Sequence, residues 1–194
     1  MKNNQSGRSM VEMLGVLAII GVLSAGGLAG YSKAMFKHKL NATMDQITML
    51  VTNIRTMYGT QGNYANLGTD VVDLGIVPAV MGTTPSTLTN PFKGGVKIME
   101  VSATEAAAGN TGFIVAYDGL PQEACIALAT ADFGSGAGSG FIGVTLSSAK
   151  VADVAAGTAT NVIGENEGEA MSMETALGDS GCTSGDNTLI WKFY

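Results

Sequence analysis

Apolar and polar positions divide this chain into stretches of different period. From Met10 to Ser32 it reads MVEMLGVLAIIGVLSAGGLAGYS, with no charged side chain after Glu12 until Lys33. Such a run has the roughly 20 apolar residues that a helix needs to cross a bilayer's hydrocarbon. A polar leader, MKNNQSGRS, precedes it. A secretory signal peptide would have a shorter apolar core, about 7–15 residues, followed by a small-residue cleavage site. Here the run flows into a helical pattern instead. A core helix of a soluble protein is the other alternative, but this run is apolar on every face. We therefore read residues 10–32 as the spanning half of a helix. Lys2 and Arg8 lie before it, which puts the N-terminus in the cytoplasm and the bulk of the chain outside.

Beyond Lys39 the period becomes that of an amphipathic helix. Leu40, Met44, Ile47, Val51, Ile54 and Tyr58 recur at three- and four-residue steps, and Met49, Leu50 and Met57 widen the face. Asn41, Asp45, Asn53 and Arg55 lie off it. The pattern predicts one helix over 8–58, its second half packed on a sheet, with Gly59 as C-cap. A methionine-rich stripe can also bind a cofactor or peptide, but at helical spacing it reads as core.

Residues 59–194 read as one head domain. Residues 59–91 are loop-rich, with a short helix over Asp70–Leu74 capped by Thr69 and a turn at Asn90-Pro91. Strands are predicted at Val96–Val101, Phe113–Tyr117, Phe141–Leu146 and Thr188–Phe193. Asp118-Gly119 is expected to turn the chain, and Pro121 to open a helix through Glu123, Cys125, Leu128 and Ala129. GSGAGSG at 134–140 reads as a linker, since it lacks the Lys-Ser/Thr of a phosphate-binding loop. Residues 147–170 read as surface loop and 172–177 as a short helix. The fold class is α+β.

Composition narrows the chemistry. With 16 acidic and 10 basic residues the net charge is −6. That argues against a nucleic-acid partner, whose footprint is basic. Lys33, Lys37, Lys39 and Arg55 read as a solvated helix face. Cys125 and Cys182 are the two cysteines, and an even count in an exported domain reads as a disulfide. Two buried thiols are the alternative, and no Cys-x-x-Cys suggests a redox role. Residue His38 is the sole histidine and reads as a surface residue. With no nucleophile–base–acid set, no enzyme is expected. Glu165, Glu167, Glu169 and Asp179 could offer oxygens to Ca²⁺, but their spacing matches no EF-hand loop. They read as a solvated acidic loop, and no metal or cofactor is expected.

Glu12 is the unusual residue. A carboxylate in hydrocarbon costs on the order of a few kcal/mol, less near a helix end. Either it snorkels to the interface or it awaits a cation from another subunit. Cleavage next to Gly7 would create such a cation, an α-amine four residues upstream. Gly26-x-x-x-Gly30 lets helices approach closely in a membrane, while Gly15, Gly21 and Gly27 also loosen the helix.

On these residues, Gly7 followed by Arg8-Ser9-Met10-Val11-Glu12 and then MLGVLAIIGVL, the chain resembles the type IV pilins. Their prepilin signature is a basic leader ending in Gly, a Glu five residues later and about twenty apolar residues. The residue after the cleavage glycine is usually apolar in the family; here it is Arg8. IVAYDGLPQEAC, with IVPAVM and LTNPF, resembles the type IVb subgroup over about 76–130. The resemblance implies the pilin fold, a long N-terminal α-helix packed on an antiparallel β-sheet. It further implies that a prepilin peptidase removes residues 1–7, cutting between Gly7 and Arg8, and that the α-amine of Arg8 is methylated. Glu12 would then neutralise that amine on a neighbouring subunit. Residues 59–91 would form the αβ-loop, commonly a contact surface, and a Cys125–Cys182 disulfide would bracket the C-terminal region.

The function implied is structural. The subunit, a major pilin, would wait in the bacterial inner membrane. An assembly platform and ATPase then extrude it as a homo-oligomeric extracellular filament used for adhesion, aggregation or motility. The alternatives are a minor pilin or tip adhesin, a type II secretion pseudopilin, and an extracytoplasmic binding domain on an uncleaved anchor.

Overall fold

The computed structural model describes residues 6–101, 111–134, 140–155 and 168–194. The linker positions 135–139, the acidic residues Glu165 and Glu167, and leader positions 1–5 lie outside the described residues. Helix α1 runs over Ser6–Tyr58. The chain forms two units, one through Lys39 and one over Leu40–Tyr194.

In the second unit, Ile47, Leu50, Val51, Ile54 and Tyr58 of α1 are buried in the main core. This is the stripe predicted by the three- and four-residue steps. Met49 and Met57 do not belong to it, at 38% and 44% exposure. They flank Asn53 at four-residue steps on the stripe's edge. Asn53 donates from Nδ2 to the carbonyl of Ile76 at 2.9 Å, tying the following loop to that edge. The helix stops at Tyr58, but Gly59 is not a left-handed cap. It is absent from the positive-φ glycines, and its missing Cβ makes room for the Arg55 carbonyl. A turn from Gln61 N–H to Tyr58 O, 2.9 Å, ends the helix instead.

The short helix in the loop starts earlier than expected. Helix α2 spans Leu67–Asp70 and is capped by Asn66 in the left-handed region, with no side-chain cap bond. Buried Leu67 fixes its position in the core. Thr69 faces back instead, its hydroxyl donating to Asn66 O at 2.9 Å.

Four strands form one antiparallel sheet: β1 (Val96–Val101), β2 (Gly112–Leu120), β3 (Phe141–Ser147) and β4 (Asn187–Phe193), in the order β1-β2-β4-β3. The last strand is thus interior, and all seven of its residues are buried. Alternation along the strands separates two faces. Val96, Ile98, Phe113, Val115, Leu189, Trp191 and Phe193 join the helix core. Met99, Val101, Ile114, Ala116 and Ile190 form a smaller cluster on the other face.

Two irregularities adjust this alternation. The register shifts between Tyr117 and Leu120 in β2, and between Phe141 and Gly143 in β3. Tyr117 and Leu120 are three apart, as are Phe141 and Val144, yet all four lie in the helix core. One extra residue in each strand restores the face. Asp118-Gly119 therefore does not turn the chain. Gly119, at φ 66°, supplies the left-handed step inside the strand.

That bulge is anchored by side chains. The Asp118 carboxylate accepts from the backbone N–H of Gly95 and of Val151. Asn90 donates to Asp118 O at 2.8 Å and accepts from the N–H groups of Phe92 and Gly94. Asp118 thereby links the loop before β1, the β2 bulge and a 3₁₀ turn at Val151–Asp153. Val151 and Val154 are buried in the second cluster, so this part of 147–170 is not the open loop its polarity suggested. Asp118→Ala orphans two amides and should cost about 1–3 kcal/mol. The check is the urea midpoint of the purified chain, which should fall with an unchanged slope.

Helix α3 (Gln122–Ala129) begins one residue after Pro121, which is its N-cap. Helix α4 (Met173–Leu177) is capped by Ser172, whose hydroxyl accepts from Thr175 N–H. Cys125 and Cys182 are disulfide-bonded, with Cα atoms 5.9 Å apart. The bond ties α3 to the segment between α4 and β4.

Candidate assembly site

The first unit carries Gly7, Arg8 and Glu12. Gly7 and Arg8 fall in the first turns of α1 (Ser6–Tyr58); the Arg8 side chain lies outside the described residues. From Met10 to Tyr31 every large apolar side chain is exposed, from Ile20 at 52% to Val22 at 74%. The span is long and apolar enough to cross a membrane, with a mean hydropathy of 2.1 over its best window. Apolar area left in water costs about 25 cal/mol per Å². A surface this large therefore needs lipid or other protein against it.

Glu12 is exposed and has neither hydrogen bond nor ion pair among the described residues. At Gly15, Gly21, Gly26, Gly27 and Gly30 nothing beyond the adjoining turns of the helix backbone lies within 4 Å of where a Cβ would sit. Nothing inside the subunit requires them to be glycine. Close approach of another helix would.

The head, Leu40–Tyr194, holds the acidic candidates Glu169 and Asp179. Both are exposed there, and His38 is exposed in the first unit. Asp179 lines an open polar cleft of about 390 Å³ with Ser147, Ser148 and Asp186. Among the described residues no three His, Cys, Asp or Glu side chains converge on a point. Tyr117 is buried, and desolvation pushes its phenol well above the usual range. It stays protonated and donates to Gln46 Oε1 at 2.8 Å, joining sheet to helix.

Arg55 departs most from expectation. It is not a solvated cation: its Cζ lies 5.5 Å from the Phe193 ring centroid, and burial lowers its pKa, with Tyr64 opposing. The spacing put Arg55 beside the apolar stripe. The only available signal was that it stands three or four residues from Ile54's neighbours Val51 and Tyr58, at the stripe's margin.

The fold is that of a type IV pilin. It superposes on the crystal structure of TcpA, a type IV pilin from Vibrio cholerae El Tor biotype, with a TM-score of 0.52 and 20% identity, over 81% of this chain and 99% of that one. A profile described as Bundlin matches residues 33–194. The chain belongs to the Bundlin family. Two relatives are similar in sequence. One is the major structural subunit of bundle-forming pilus of Escherichia coli O127:H6, 27% identical over 138 residues, 70% of this chain and 69% of that one. The other is the toxin coregulated pilin of Vibrio cholerae, 27% identical over 66% of this chain and 58% of that one. The family match starts at Lys33, so the Gly7-to-Glu12 spacing is a separate observation.

Proposed function

We propose that this chain is the major structural subunit of a type IV pilus. It assembles into a homo-oligomeric filament outside the cell. The observation that carries the reading is the exposed apolar half of α1, headed by Glu12 five residues after Gly7. Fold and family agree with it.

The assembly chemistry follows from the same residues. A prepilin peptidase cuts between Gly7 and Arg8 and frees an α-amine, which is then methylated. The helix holds the subunit in the inner membrane until an assembly platform and ATPase draw it out. Helix then replaces lipid around helix, so the apolar surface stays out of water throughout. A lone Glu12 carboxylate is costly in that setting, and a neighbour's Arg8 amine offsets the cost. Register between copies is fixed because only one placement brings acid to amine.

Mass spectrometry of the native chain tests this. The pilin reading predicts an N-terminus at Arg8 carrying an added methyl. An N-terminus at Met1 on a membrane-bound monomer would instead support a binding domain on an uncleaved anchor.

A further inference from the structure

Two side-chain atoms among the described residues are buried without a hydrogen-bond partner: Arg55 Nη2 and Trp191 Nε1. They belong to one corner of the head. Trp191 and Phe193 are two apart on β4 and share the helix-facing side. Phe133 stands edge-on to Trp191 at 5.7 Å, and Arg55 lies over Phe193. Between them is a groove of about 120 Å³ lined by Thr48, Val51, Thr52, Arg55, Phe133 and Phe193. One water needs roughly 10–15 Å³ of such space, so the groove has room for a carboxylate and its methylene.

The groove holds one charge. The hydroxyls of Thr48 and Thr52 donate back to the carbonyls of Met44 and Thr48, which leaves Arg55 as its donor. The Phe193 ring satisfies the flat face of the guanidinium but not its in-plane N–H groups. Those groups match a carboxylate, often in a two-pronged contact. No carboxylate of the described residues meets them, although the full chain carries 16 acidic residues. Gly140 packs so close to Nη2 that a Cβ there would collide, and that nitrogen is sealed from solvent, so an incoming carboxylate would meet the rest of the guanidinium from the groove side. An unpaired, partly desolvated cation is expensive unless something supplies the anion.

We propose that this groove seats an Asp or Glu carboxylate of a second copy of the chain when subunits assemble. Charge complementarity selects that occupant: the chain is acidic overall, at −6, and this cation is recessed on the head half of α1. The proposal rests on the pilus reading above and adds to it a contact in the head.

The test uses full-length chain in the cells that produce it. A benzophenone amino acid at Thr52, irradiated in sheared fibres, should give cross-linked dimers whose joined peptide contains Asp or Glu. Arg55→Met should lower fibre yield at least ten-fold at unchanged subunit level and thermal midpoint, with Arg55→Lys between. Wild-type fibre yield from Arg55→Met would overturn the proposal. So would a Thr52 cross-link that stays within one chain, traps only solvent or joins a peptide without an acid. Should Arg55→Met fail to fold, the Thr52 cross-link decides alone. Absence of fibres from the unsubstituted chain would sink the pilus reading itself, and this proposal with it, before any variant is made.

Discussion

Glu12→Ala is expected to leave a stable subunit in the membrane and to remove surface filaments. The carboxylate does nothing for the lone subunit, because it has no partner there among the described residues and sits at the start of an apolar run. Its loss relieves a desolvation cost, so membrane levels should hold or rise slightly. In the filament it would leave each neighbour's α-amine buried without an anion. Removing one partner of a buried pair costs about 3–5 kcal/mol, and each 1.4 kcal/mol is about ten-fold in association. A drop of a hundred-fold or more at every contact ends growth. Glu12→Gln keeps the shape and should fail equally. Immunoblots of membrane and sheared fractions give the answer. Normal fibre yield would remove the charge pairing while leaving the apolar packing in place.

The second large effect is on the head. Replacing Cys125 and Cys182 together by Ser opens a 57-residue loop, worth roughly 4 kcal/mol in the chain-entropy model. That is a large share of the 5–15 kcal/mol or so that holds a domain together. The loop contains β3 and α4 and brackets the connection into β4, so ordering of the sheet's far half depends on it. Cys125 is fully buried, and a hydroxyl there adds a desolvation cost. A midpoint fall of roughly 8–16 °C is expected for a chain of this length. Thermal unfolding of the oxidised and substituted proteins checks it; equal midpoints would show that packing alone holds α3 to β4.

Much of this was legible because single residues decide it. The absence of charge from Met13 to Ser32 marks the span, and the steps from Leu40 to Tyr58 mark the buried stripe. Short β-rich runs located β1, β3 and β4 to within a residue. Asp118-Gly119 reads as a turn in the sequence because a bulge and a turn need the same residue, a glycine with positive φ. Only the partner strand distinguishes them. Val151 and Val154 looked like loop because their neighbours are small and polar; they are buried by packing on a sheet face that no local pattern reveals. Met49 and Met57 show the limit of periodicity, since edge positions are covered or bared by whatever loop crosses them. Arg55 needed the structure outright, because its burial comes from β4, well over a hundred residues away in sequence.

Cryo-EM of fibres sheared from cells producing this chain would show the assembly itself. The expected result is a helical filament built from this chain, with residues 10–32 of neighbouring copies packed together and Glu12 in ion-pair contact with a neighbour's Arg8 amine. Fibres that lack the chain, found while it persists in the membrane as a monomer retaining Met1–Gly7, would contradict it.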